Sequence, residues 1–119
     1  MNNDLAQLME ENLRRVWSER NAELRRKALE DIYAKDSTLF EVGLVISGYD
    51  AINDQVSQIV NPMPTAFVFT RLKPVIINNN IGRLIWGVGP KGQPPVTTGM
   101  DVAVFENGRI KSLYVFLDN

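Results

Sequence analysis

The sequence predicts an α+β fold, with helices packed on one face of an antiparallel sheet, and three observations lead to it. The first third of the chain has apolar residues at helical spacing under a dense cover of charge: residues 1–36 hold eight acids and seven bases, the other 83 only six of each. From Ala66 onward four runs rich in β-branched and aromatic residues follow one another: FVFTRLKPVII, IGRLIWGVG, VTTGMDVAVF and RIKSLYVFL. Short turn signals separate these runs, so the strands succeed each other as a meander, without the intervening helices that a parallel sheet needs.

In the opening segment Leu5, Leu8, Met9, Leu13, Val16 and Trp17 recur at helical spacing, which predicts one amphipathic helix with Asn2 or Asn3 as its cap. Asn21 is positioned to cap a second helix, in which Leu24, Ala28, Ile32 and Tyr33 share one face while Glu, Arg and Lys cover the other. TLFEVGLVIS at 38–47 predicts two short strands about Gly43, or one bulged strand. A third helix begins near Ser47–Gly48, because Ile52, Val56, Ile59 and Val60 repeat at helical spacing, and NPMP at 61–64 ends it. Pro74 cannot donate to a ladder and marks a bulge or sheet edge in the first of the later runs. Asn78–Asn80 favour a turn, and GPKGQPP at 89–95 forms a longer loop. Asn107–Gly108 predicts a type I′ hairpin that pairs Val102–Phe105 antiparallel with Ile110–Phe116.

A chain of 119 residues with 45% hydrophobic and 23% charged side chains is expected to form one domain, spanning 1–119, around a single core. A net charge of −1 supplies no field that draws it to nucleic acid or an anionic membrane, so neither is an expected partner. No apolar run approaches the ~18 residues of a membrane span, and no leader pattern opens the sequence; the expected location is cytoplasmic. Without Cys there is no thiolate nucleophile or sulfur-ligated metal, and without His the commonest general base and metal ligand are missing. Acid–base chemistry then falls to perturbed carboxylates, Lys or Tyr, with no cofactor and no metal expected.

One carboxylate stands out. In GMDVAVFENGRI at 99–110, strand alternation puts Asp101, Ala103 and Phe105 on one face and Met100, Val102 and Val104 on the other, and both faces are otherwise apolar. In the last strand Leu113, Val115 and Leu117 alternate with Tyr114 and Phe116, again leaving no polar side. A sheet covered by helices on one face shows water the other, so doubly apolar strands imply a second cover, most economically another subunit. Asp101 therefore lies in the helix-covered interior or in a subunit interface.

The order of elements, together with RVWSERN before the second helix, IYAKDSTLFE entering the first strand, SGYDAI opening the third helix and DVAVFENGRIKSLYVF at the end, resembles the SnoaL-like branch of the nuclear transport factor 2-like superfamily. The resemblance covers nearly the whole chain and rests on order and spacing. It implies a strongly bent sheet wrapped around three helices as a cone with an apolar pocket, and a homodimer through the outer sheet face. Ketosteroid isomerase shares the fold, and its pairing of a carboxylate base with a Tyr and a protonated Asp is a known pattern of acid–base tuning. On that pattern Asp101 matches the protonated acid, and Glu41, at the end of TLFE, matches the base. The Tyr has no counterpart: the corresponding turn of the first helix offers Val16 or Trp17. The SnoaL-type cyclases also use an Asp, often with a His that this chain lacks.

Each candidate has a structural reading beside the functional one. Asp101 could pair with Arg71, Arg83 or Lys73 from a neighbouring strand. Glu41 could be a solvent-facing strand end. Trp17, Tyr33, Trp86, Phe105 and Phe116 could be core or could line the pocket for a small apolar ligand, and Tyr114 could bring a hydroxyl to the pocket or interface. Two functions follow: a cofactor-free isomerase or cyclase acting on a ketone or polyketide-like substrate through buried carboxylates, or a non-catalytic ligand-binding or dimeric interaction domain of the same fold.

Overall fold

The computed structural model describes residues 2–118. The chain opens with helix α1 (Asn2–Glu11), a π-helical segment (Asn12–Trp17) and helix α2 (Ala22–Ile32). Strands β1 (Tyr33–Glu41) and β2 (Leu44–Ser47) form a hairpin, helix α3 (Tyr49–Val60) follows, and β3 (Phe67–Arg71), β4 (Ile76–Asn78), β5 (Ile81–Pro90), β6 (Thr97–Glu106) and β7 (Arg109–Leu117) complete the chain. The strands form one curved sheet in the order β2-β1-β7-β6-β5-β3, with β4 also on β5. The sheet is open, and the helices pack inside its curve.

Local chemistry explains most boundaries. The Asn21 side chain accepts from the Glu23 and Leu24 amides, at 2.9 and 3.1 Å, and so caps α2 as its position predicts. The side chains of Asn2 and Asn3, the expected caps of α1, lie outside the described residues. Asn107 and Gly108 both have positive φ, 52° and 77°, which is the type I′ geometry that the pair predicts between β6 and β7. Asn79, at φ 55°, makes the turn from β4 to β5. Helix α3 stops at Val60, directly before NPMP.

Three features differ from the sequence reading. Tyr33 does not continue the face of α2: its backbone is extended, at φ −105° and ψ 151°, so it closes the helix and starts β1 five residues earlier than TLFE suggests. The run FVFTRLKPVII is two strands and not one, since β3 pairs with residues 86–90 of β5 and β4 with residues 81–83, while Pro74 falls in the bulge between them at the sheet edge, as expected of it. The sheet is also not wholly antiparallel, since β7 runs parallel to β1 while remaining antiparallel to β6. Hairpin-linked neighbours must be antiparallel, but β1 and β7 come from opposite ends of the chain and are free of that constraint.

Leu29, Ile32, Leu39, Ile52, Ile110 and Leu113 are fully buried between helices and sheet. Burying each such side chain contributes about 1.5–3 kcal/mol. One charge shares this interior. The Arg25 guanidinium is fully buried between α2 and α3, donating to the Asn53 Oδ1 at 2.6 Å and the Glu19 carbonyl at 2.7 Å, and reaching Ser57 as well. Those neutral acceptors fix α3 against α2, and thereby the face that α3 turns to the sheet.

Candidate functional site

Strand alternation turns Gly99, Asp101, Ala103 and Phe105 of β6 inward, all buried. Their neighbours across the ladder are Trp86 and Leu84 on β5 and Leu117, Val115 and Leu113 on β7. Trp86 stands opposite Gly99, and a Cβ at that glycine would fall 2.3 Å from the indole ring. The missing side chain lets the indole lie across β6. Its Nε1–H then donates to Asp101 Oδ1, two residues along, at 2.9 Å.

Asp101 opens onto a cavity of about 540 Å³ between sheet and helices. Leu13 and Trp17 of the π segment and Gln55 and Ile59 of α3 form its helical wall. Phe69, Trp86, Val88, Val115 and Leu117 form the sheet wall, and Glu41 enters from the end of β1. The Phe69 ring touches both tryptophans, with centroids 5.8 Å from Trp17 and 5.3 Å from Trp86. The π segment, with its Ser18 amide bonded back to the Leu13 carbonyl at 2.9 Å, winds wider than an α-helix. It brings Leu13 and Trp17 to the cavity and Asn12 into the core beside it.

Two carboxylates thus converge on one apolar space, each held at one oxygen by a neutral donor. Trp86 holds Asp101, and the Gln55 side-chain amide donates to Glu41 Oε1 at 2.9 Å. Asp101 is 3% exposed, and burial raises its pKa from the ordinary 3.8 to about 7, with the Trp86 bond acting the other way. Beside it, the fully buried Tyr33 hydroxyl donates to Asn12 Oδ1 at 2.7 Å. Burial, and then the charge of Asp101, push the Tyr33 phenol up. The Trp17 indole N–H is buried and meets no acceptor within hydrogen-bond geometry among the described residues.

The structure separates the candidate residues into three groups. Asp101, Glu41, Trp17 and Trp86 meet at the cavity. Tyr33 lies in the core as part of the polar group next to it, and Phe105 is core also, beneath α1 where Gly82 and Met9 meet. Tyr114 and Phe116 are on the opposite, outer face of the sheet, because they pair across the ladder with Val102 and Met100 and not with the inward residues of β6. Tyr114 is 37% exposed and stacks on Phe40, with centroids 4.4 Å apart. The cations that could have paired with Asp101 go elsewhere: Arg71 meets Glu10 at 3.3 Å, and Arg83, opposite Val102, is on the outer face. Lys73 is in the bulge between β3 and β4.

Sequence reading missed Gln55, Asn12 and Phe69. Gln55 sits one turn before Ile59, on the edge of the apolar stripe of α3, and Asn12 interrupts the apolar spacing of the first helix four residues before Val16. A polar residue within an apolar stripe was the available signal. Among the described residues, no group of three or more His, Cys, Asp or Glu side chains gathers as a metal site.

No family model matches the sequence, and no curated protein matches it. Solved structures do. A candidate isomerase of the SnoaL-like family from Agrobacterium tumefaciens superposes with a TM-score of 0.87 at 20% identity, covering 98% of this chain and 99% of that one. A candidate SnoaL-like polyketide cyclase from Jannaschia sp. CCS1 gives 0.80 at 8% identity, covering 98% and 86%. A de novo designed protein with a curved β-sheet gives 0.75 at 16% identity, covering 99% and 88%. The chain has the SnoaL-like, nuclear transport factor 2-like fold that its sequence resembles. One fold can host unrelated functions, so the fold by itself does not assign an activity.

Proposed function

We propose that this protein binds a small apolar molecule in its cavity and moves a proton on it without a cofactor, as an isomerase or cyclase of ketone or polyketide-like compounds does. The observation that carries this reading is the convergence of Asp101 and Glu41 on one apolar cavity, with only the first deeply desolvated. Two carboxyl groups in unlike environments can divide the roles of acid and base. Asp101, protonated for part of the time near neutral pH, donates a hydrogen bond to the substrate carbonyl oxygen. Glu41 takes the proton from the adjacent carbon; the C–H electron pair moves into the forming C=C bond and the carbonyl π pair onto oxygen. Return of the proton to a different carbon completes an isomerisation. Trp86 and Gln55 hold the two acids in place.

The test is exchange of α-protons of enolisable cyclic ketones in deuterated water, followed by NMR. Wild-type protein is expected to accelerate exchange, and Glu41→Gln to reduce the rate by about 100-fold or more. Equal rates with and without protein across a panel of such ketones would leave the cavity as a binding site only.

A homodimer through the outer sheet face belongs to the same proposal. Phe116 at 44% exposure, Val45 at 66% and Ile81 at 44%, together with the Phe40–Tyr114 stack, make that face apolar and uncovered in a single chain.

A further inference from the structure

The charges on the cavity wall have one sign. Glu41 and Asp101 are the ionisable lining residues, Gln55 and Thr97 are neutral, and no Arg or Lys among the described residues lines the space. The cations of neighbouring segments are engaged elsewhere: the buried Arg25 is held by neutral acceptors, among them the Asn53 Oδ1 of α3, Arg20 donates to the Met63 and Pro64 carbonyls, at 3.1 and 2.7 Å, and Lys91 borders a separate surface groove. Each carboxylate has a neutral N–H on one oxygen and no protein hydrogen bond on the other among the described residues. Three aromatic rings line the space, Phe69 packing against both Trp17 and Trp86, and aromatic faces attract organic cations.

We propose that the cavity selects ligands bearing a protonated amine on an apolar body and rejects carboxylates of the same size. This rests on the cavity being the ligand site, as proposed above, and not on its catalytic roles. Glu41 in its ionised form leaves the space with a negative charge that no side chain balances. An ammonium group lodged against the aromatic faces balances it across a medium of low dielectric, where such attraction is strong. A carboxylate ligand meets repulsion as well as desolvation.

Asp101 adds a pH signature. The other titrating groups near it are Glu41 and the Tyr33 phenol, both from β1; the cavity residues contributed by the π segment, α3, β3, β5 and β7 do not ionise. A bound cation favours ionised Asp101, so amine affinity should rise as pH increases through about 7.

Both tryptophans of the chain line the cavity, so intrinsic fluorescence reports on its contents. The probes are 1-adamantanemethylamine, 1-adamantanemethanol and 1-adamantanecarboxylate, three optically silent compounds of nearly equal size and different charge, titrated at about pH 6 and about pH 8. At the higher pH the amine is expected to bind about tenfold tighter than the alcohol, and the carboxylate about tenfold more weakly. The gap between amine and alcohol is expected to shrink at the lower pH, and to shrink in Glu41→Gln at both. Alcohol binding as tight as amine binding at the higher pH would overturn the charge selection and leave the cavity a ligand site. If none of the three changes the emission, the cavity reading falls, and the selection with it.

Discussion

Replacing Asp101 with Asn tests the environment of the acid through stability alone, with no need to know the ligand. The Asn amide oxygen can still accept from Trp86, and the side chain keeps its volume, but it cannot ionise. In the wild type the carboxyl moves from the ordinary 3.8 to about 7 on folding. Below both values native and unfolded chains each hold the proton, and between them the native state keeps a proton that the unfolded chain has lost. Native stability therefore falls as pH rises through this window, and the loss is complete above the folded value. At about 1.4 kcal/mol for each pH unit, a gap of roughly three units amounts to on the order of 4 kcal/mol. Urea unfolding of both proteins at about pH 4 and about pH 8 gives the stability difference at each, and groups that titrate alike in both cancel. The variant should gain on the wild type by several kcal/mol between the two pH values. If the wild type gains instead, Asp101 is stabilised as an anion, and its role as a neutral donor is excluded.

Two further predictions concern packing. Gly99→Ala would set a Cβ 2.3 Å from the Trp86 ring and 2.6 Å from the Phe116 carbonyl oxygen; it should cost about 1–3 kcal/mol and alter the near-UV circular dichroism of the indoles. A variant with unchanged spectrum and stability would show that Trp86 does not depend on that gap. The wild type is expected to sediment as a dimer at micromolar concentration, and replacing both Tyr114 and Phe116 with Glu should give monomers in sedimentation velocity; a monomeric wild type would refute the outer-face interface.

The elements were legible where a local rule dominates. The spacing of Ile52, Val56, Ile59 and Val60, the cap at Asn21 and the turn at Asn107–Gly108 each act within a few residues, and each appears where the sequence puts it. Tyr33 was misassigned because an apolar residue after Ile32 fits a helix face and a strand start equally well; the sheet partner that decides, Ile110, is 77 residues away. The same limit applies to the site. That Asp101 faces a buried space could be read from alternation, but its partner could not, since an indole on β5 competes with three cations on neighbouring segments and only the ladder register chooses. Glu41 looked like a strand end open to water because Gln55, which holds it, belongs to a different element. Tyr114 and Phe116 are aromatic like the pocket residues, and register alone sends them to the outer face.

The position of β7 has a consequence for how the molecule is made. It lies between β1 and β6, so it is the seam that joins the β1–β2 hairpin to the β3–β6 portion of the sheet. Before residues 109–117 are synthesised, the Glu41 side of the cavity and the Asp101 side belong to two sheet fragments with no ladder between them. The parallel pairing that unites them spans most of the chain, a long-range closure that slows folding. During that interval β1 and β6 each present an unpaired edge, the kind of surface that invites strands from other chains. A nascent chain stalled short of β7 is thus expected to expose both edges at once, and with them a route to aggregation that the completed sheet closes.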